Sequence, residues 1–312
     1  MRRHSGSRGN PRLHPRGRRQ GALHARGRQG VVSASAPGGK VALICGGGAF
    51  PLVAARAAQT RGEQVFLLGL RGIADTGIES FPHAWVGIGQ LGRAIAEFSA
   101  REIKKVCFIG GLKRPEFSDL RLDWGGIKRI PDIVKFLRGG DDHALKGVIK
   151  LFEREGFEVV GVDALAPDLL AAPGDMAGKF PADLTADLAF AQKFLADLSA
   201  YDCGQAVVVA NSRVIAMEAV EGTDSMLARV AHLREIGRFR AKGGLLVKAP
   251  KRGQDLRVDL PAIGPETLRG AEAAALRGIA VASGRVLMLD RAGLAAQARR
   301  AGLFLHGFAE QP

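Results

Sequence analysis

Apolar residues first gather after Gly39, where K-V-A-L-I-C-G-G-G-A-F-P-L-V-A-A-R-A-A reads as a buried strand, a glycine turn and a helix entered through Pro51. The pattern then alternates. Short apolar runs predict strands at Val65–Leu68 and Trp85–Ile88, helical periodicity covers Leu91–Ala100, and K-K-V-C-F-I-G-G is a further buried strand ending on a glycine pair. Helices are expected over Ile130–Leu137 and Asp142–Glu155, with F-E-V-V-G-V as the closing strand. Strands that alternate with helices imply a mostly parallel, doubly wound sheet.

From Leu165 to Pro181 prolines and glycines replace the periodic pattern, and a helix over Leu184–Leu198 follows. The second half opens on Q-A-V-V-V-A-N-S-R-V-I-A-M-E-A-V, two apolar runs around Asn211-Ser212 that mark a hairpin. Helix Asp224–Arg234, strand Gly244–Lys248, helix Pro265–Leu276, strands within Ile279–Leu289 and a last helix and strand complete it. The expected class is α/β. It comprises a Rossmann-like N-terminal domain (39–164), a linker with a connecting helix (165–204) and a mixed α/β domain (205–312), with the site in the cleft between the domains.

Charge changes this picture little. Of the formal +14, nine charges are arginines within residues 1–39, which hold no acid, leaving +5 over 40–312 with both signs interspersed. No basic run there is interleaved with aromatics, so a nucleic-acid partner is not expected. Residues 1–38, rich in Arg, Gly, Pro and His, read as a disordered basic extension. Three scattered cysteines form no C-x-x-C pair, which suits a reducing, cytoplasmic setting. No apolar run approaches the ~18 residues of a spanning helix.

Several stretches carry candidate chemistry. Gly46-Gly47-Gly48 and Gly110-Gly111 follow strands, where backbone N–H groups can face a phosphate beside a helix start, although a tight connection needs the same glycines. Pro51 stands where G-x-G-x-x-G would place its third glycine, which argues against a nicotinamide cofactor. The irregular stretch G-G-L-K-R-P-E-F-S-D-L-R-L-D-W-G-G offers Lys113 and Arg114 for phosphates, and Phe117 and Trp124 to stack a base or cover an acyl chain. Asp141, Asp142 and His143 are ligand types in a row, but adjacent residues seldom converge on one ion, and acids at a helix start are ordinary capping.

E-A-V-E-G-T-D-S-M-L sets Glu218, Glu221, Thr223 and Asp224 at a strand end. Hard carboxylates with a hydroxyl suit Mg²⁺ and substrate phosphates, and Asp224 is placed to orient or deprotonate a water. Thr223 or Asp224 would equally serve as the N-cap of the next helix. L-V-K-A-P-K-R-G-Q-D-L-R-V-D-L-P-A-I-G-P-E-T-L then supplies Lys248, Lys251, Arg252 and Arg257 with Asp255 and Asp259, either as an anion site at a helix N-terminus or as a charged surface turn. Together these features favour an enzyme acting with Mg²⁺ on a phosphorylated substrate, and the residues alone do not say which.

The blocks I-C-G-G-G-x-F-P, F-I-G-G-L-K-R-P, D-D-H-A-L-K-G-V-I, V-V-V-A-N-S-R-V-I-A-M-E-A-V-E-G-T-D-S-M-L and V-K-A-P-K-R-G-Q-D-L-R-V-D-L-P-A-I-G-P-E-T occur in order. In this the chain closely resembles the LpxI-type UDP-2,3-diacylglucosamine pyrophosphatases over roughly residues 40–308. The resemblance implies Mg²⁺-dependent hydrolysis of UDP-2,3-diacylglucosamine to UMP and 2,3-diacylglucosamine 1-phosphate (lipid X) in lipid A assembly, with water attacking the α-phosphorus. It assigns the essential acidic role to Asp224, with Thr223 and Glu221 as further catalytic candidates and Asp224, Glu218 and Glu221 as metal ligands. Under the same reading Gly46, Gly47, Gly48, Phe50, Gly110 and Gly111 hold uridine or phosphates. Lys113, Arg114, Lys248, Lys251, Gln254 and Arg257 then meet the rest of the substrate. A diacylated substrate implies transient contact with the cytosolic face of the inner membrane. Whether the chain forms a homodimer stays open, and a non-catalytic nucleotide-sugar binder is the competing class.

Overall fold

The computed structural model describes residues 38–111, 141–240 and 243–309, with backbone alone for 141–144. The basic extension before residue 38, the stretch carrying Lys113, Arg114, Phe117 and Trp124, and the expected helix Ile130–Leu137 lie outside the described residues.

The first half runs β1 (Lys40–Cys45), α1 (Phe50–Thr60), β2 (Gln64–Leu70), β3 (His83–Val86), α2 (Leu91–Ala100), β4 (Lys105–Ile109), α3 (Asp141–Arg154), β5 (Glu158–Val159) and α4 (Val162–Leu165). Its five strands form a parallel sheet in the order β3-β2-β1-β4-β5. Because side chains alternate along a strand, β1 feeds two cores. Val41, Leu43 and Cys45 pack with Ala54, Ala55 and Ala58 of α1 and with Val162 and Leu165. Ala42 and Ile44 pack with Leu91, Ala94 and Phe98 of α2 and with Ile149 and Phe152 of α3. Phe98 is fully buried, its ring edge-on to Phe66 and Phe157 at 6.5 and 5.6 Å.

The second half adds β6 (Gly174–Ala177), α5 (Thr185–Leu198), β7 (Ala206–Ala210), β8 (Arg213–Met217), α6 (Gly222–Glu235), β9 (Leu245–Lys248), β10 (Ala262–Ile263), α7 (Pro265–Ala273), β11 (Gly278–Ala282), β12 (Leu287–Met288), α8 (Arg291–Arg300) and β13 (Phe304–Phe308). Six of these strands form a mixed sheet, β6-β13-β11-β9-β7-β8, with β9, β11 and β13 parallel. β7 runs antiparallel to both neighbours, and β6 antiparallel to β13.

Two sequence expectations change here. Residues 165–204 do more than link: β6 is an edge strand of the second sheet, and α5 packs on β7 and β9. The strands on either side of Ser283-Gly284 do not pair with each other. β12 leaves the main sheet to lie parallel to β10, and Leu170 bridges Leu287, whose side chain is buried in the first domain's core. The α/β class and the hairpin agree with the sequence. Asn211 and Ser212 adopt φ of 53° and 54°, the paired left-handed geometry that matches strand twist in a two-residue hairpin. From α5, the buried Asp187 accepts the N–H groups of both residues.

All three cysteines are free. Burial pushes the Cys45 thiol up to about 12 and the Cys107 thiol higher still, so both serve as small apolar residues rather than nucleophiles.

Removing the Asp187 carboxylate would strand two N–H groups at a turn that requires unusual φ at both positions. Asp187→Ala is expected to cost about 1.5–3 kcal/mol, the scale for hydrogen bonds to a charged acceptor, because the turn residues are exposed and water meets part of the lost demand. Urea denaturation of the full chain measures the loss.

Candidate active site

The carboxyl ends of β8 and β9 and the amino ends of α6 and α7 converge on one cluster. Glu218 follows β8 directly and is buried. Its Oε2 accepts the Gln205 N–H at 2.7 Å, and its Oε1 accepts the Thr223 hydroxyl at 2.6 Å. Lys248, the last residue of β9, donates from Nζ to the same Thr223 oxygen at 2.5 Å and stands 3.6 Å from Glu218 Oε1. Burial pushes the Lys248 ammonium down from its ordinary range, and the charges of Glu218, Asp224 and Asp259 act against that fall.

Next in sequence, the exposed Asp224 accepts a 3.3 Å hydrogen bond at Oδ1 from the Thr267 hydroxyl, which itself accepts the Gly264 N–H at the start of α7. Asp224 thus sits in the first turn of α6 and against the first turn of α7. The positive ends of two helices favour a carboxylate and an incoming phosphate there. The expected capping role is corrected: α6 begins two residues before Asp224, with Glu221 at the N-cap position (φ −72°, ψ −19°) and no side-chain cap bond. Gly222, at φ +79°, makes the turn that lets the helix start early.

The metal-ligand expectation divides. Glu221 turns to Arg229, paired at 2.8 Å. Glu218 has its oxygens engaged by a backbone N–H, a hydroxyl and an ammonium. Among the described residues no group of three or more His, Cys, Asp or Glu side chains is gathered to hold an ion. Mg²⁺, however, is commonly held by one or two carboxylates together with substrate phosphates, and for that role the exposed Asp224 is the fitting donor.

The glycine turns are tied to each other. Gly46 N–H donates to Ile109 O, and Gly47 and Gly111 exchange N–H···O bonds, all at 2.8 Å. A Cβ on Gly46 would lie 2.6 Å from Gly111 O, so close approach of two strand ends demands these glycines. Among the described residues, the N–H groups of Gly48, Ala49 and Phe50 meet no backbone acceptor, which narrows the anion site to the entry of α1. The Phe50 ring packs partly onto the first domain's core, and Gly110 takes φ +101°.

The loop after β9 is largely occupied by its own contacts. Lys251 Nζ pairs with Asp202 at 2.5 Å, and Gln254 bonds both the carbonyl and the carboxylate of Asp259. Arg257 grips Asp255 through two nitrogens and reaches Glu153 of α3 at 2.9 Å. Lys146, also on α3, donates to Gly253 O at 2.9 Å. Arg257 therefore ties the two domains together, its charge already met twice. A cavity of about 1110 Å³ opens beside this loop, lined by Ala196, Ala249, Leu256 and Phe308 and by Lys193, Lys251, Arg252 and Arg285.

Thr267, Glu153 and Lys146 were not among the site residues expected from sequence. A signal existed for one of them: Thr267 ends G-P-E-T as the third residue of the helix, where a hydroxyl reaches back to the N-cap N–H.

Two family models match the chain: the LpxI N-terminal domain over residues 40–169 and the LpxI C-terminal domain over 173–306. A protein described as UDP-2,3-diacylglucosamine pyrophosphatase LpxI, from Caulobacter vibrioides, is 40% identical over 271 residues, covering 86% of this chain and 97% of that protein. A solved UDP-glucose-4-epimerase from Stenotrophomonas maltophila, with bound NAD and formylated UDP-arabinopyranose, aligns over 84% of this chain and 97% of its own at 11% identity. Its TM-score of 0.28 is too low to bear on fold or ligand. With both domains matched in order, the chain belongs to the LpxI family.

Proposed function

We propose that this chain hydrolyses the pyrophosphate of UDP-2,3-diacylglucosamine, releasing UMP and 2,3-diacylglucosamine 1-phosphate for lipid A synthesis. The observation that carries the reading is Asp224: an exposed carboxylate at two helix N-termini, beside a buried Lys–Thr–Glu cluster, in a chain that belongs to the LpxI family.

Asp224 orients the attacking water and, with the substrate phosphates, would hold Mg²⁺. The ion, when bound, neutralises the charge that grows on the leaving phosphate. The α6 and α7 N-termini favour anionic oxygens in the same region. The N–H groups of Gly48, Ala49 and Phe50 offer a second polar site at the edge of the first sheet, and the uridine is assigned there. The mixed apolar and cationic cavity suits an acyl chain with an anionic head, so the lipid half is assigned to it. Among the described residues no helix is long and apolar enough to cross a membrane. The diacylated substrate is therefore drawn from a bilayer during transient contact with the inner membrane.

Asp224→Ala is expected to lower UMP release by about 10²–10⁴-fold, the range for loss of a positioned base, while leaving thermal unfolding nearly unchanged because the side chain is exposed. The assay uses purified protein, UDP-2,3-diacylglucosamine and Mg²⁺ in ¹⁸O-water, with the label expected in UMP. A labelled lipid phosphate would move the attack to the other phosphorus, and retention of substrate without UMP would favour a binder. Filling the cavity with Ala196→Trp is expected to raise KM for a long-chain substrate about tenfold more than for a short-chain one, since each lost buried methylene is worth about 0.8 kcal/mol. Paired Michaelis–Menten curves read that difference.

A further inference from the structure

The amino end of α6 lacks the usual means of holding a helix start. Glu221 at the cap makes no side-chain bond to the first turn, and Gly222, at φ +79°, loses more conformational freedom on being fixed there than any other residue type would. Yet the next two residues are the ones on which the proposed chemistry depends. What holds that turn is Thr223. Its hydroxyl donates to Glu218 and accepts from Lys248, so a single buried oxygen is gripped from β8 on one side and from β9 on the other.

Both grips are themselves anchored. Glu218 is fixed by the Gln205 N–H, and a Cβ on Gly204 would sit 2.4 Å from its Cγ, so the neighbouring backbone closes around the acid. The Lys248 side chain is 6% exposed and Glu218's is 10%. Neither is placed to meet bulk solvent, and an ammonium and a carboxylate this deep persist only when their hydrogen bonds and charges are met by each other.

We propose that Glu218 and Lys248 are positioning residues that clamp Thr223 and so fix the first turn of α6 that presents Asp224. This inference rests on the pyrophosphatase reading for its consequence on turnover. It reassigns Glu218 away from the metal and Lys248 away from direct substrate contact. Lys248 makes its closest charge contact with Glu218, at 3.6 Å, and lies within the field of Asp224 and Asp259 as well.

Thr223→Val keeps the shape and removes both hydrogen bonds. The expected result is a kcat about 100-fold lower, the scale of an ångström-level misplacement, with KM within about threefold of wild type. Thr223→Ser restores the hydroxyl and is expected to recover turnover to within about threefold. In an Asp224→Ala background Thr223→Val should cost nothing further, because the clamp acts only through that carboxylate.

A readout independent of activity is hydrogen exchange of the peptide spanning 219–230, expected to speed up in Thr223→Val while the rest of the second sheet is unchanged. If Thr223→Val does not fold, Glu218→Leu combined with Lys248→Met removes both buried charges and both partners of the hydroxyl together and carries the same measurements. Wild-type kcat in the clamp variants, additive loss with Asp224→Ala, or unchanged exchange over 219–230 would overturn the inference. A wild type that releases no UMP overturns the function instead, and the exchange measurement then decides the clamp on its own.

Discussion

A lysine ammonium and a glutamate carboxylate share one threonine hydroxyl inside the second domain, and the architecture around them follows from keeping that arrangement dry and complete. Removing either charge alone would leave the other stranded, at a cost of about 3–5 kcal/mol in comparable buried pairs. The sheet supplies the geometry. β8 and β9 flank β7, each antiparallel to it, so both carry Glu218 and Lys248 to the same edge. The turn between β8 and α6 then needs only a few residues to bring Thr223 back between them. A wider loop would give the hydroxyl no fixed place.

That economy explains how an exposed carboxylate can be held accurately. Among the described residues, Asp224 has one weak side-chain hydrogen bond, from Thr267, and a solvent-exposed position. Left to itself it would sample several rotamers. Its backbone is set by the buried neighbour one residue earlier, which separates the task of fixing position from the task of meeting substrate. The first domain bears on the same region more loosely. Lys146 and Glu153 of α3 reach the loop after β9 through surface contacts, and such pairs are worth little individually. The apolar part of the join lies elsewhere, where Leu287, Leu260 and Ala262 pack into the first domain's core.

The strands and the hairpin were legible because their signals are local: apolar runs of four to seven residues, glycine pairs at their ends, and Asn211-Ser212 between two such runs. β6 was not legible. Gly174–Ala177 has no alternating pattern and becomes a strand only by pairing with β13, far along the chain. The same reason hid Asp187, which closes the hairpin turn from 24 residues away. At the site, the motif around Asp224 was visible as chemistry but misread as geometry. Local rules made Thr223 or Asp224 the helix cap, whereas Gly222 permits an earlier start and tertiary contacts hold it. Arg257 shows the opposite error, since a cation in a loop looks available for phosphate until Asp255 and Glu153 are seen to occupy it.

The glycines of the first domain carry a related lesson about inference from residue type. Gly46, Gly47 and Gly111 have the composition of a phosphate cradle, yet their N–H groups are spent on joining the ends of β1 and β4. Their function is to let those ends touch. By touching, they set residues 48–50, whose N–H groups meet no backbone acceptor among the described residues, at the sheet's carboxyl edge and the amino end of α1. Under the proposed function, a polar site there would be produced indirectly, by residues that would never contact the ligand. Asp224 is set by Thr223 in the same way. In both domains the residues that fix the backbone lie one or two positions before those to which the proposed function gives the ligand, and only the latter would be free to be shaped by substrate chemistry.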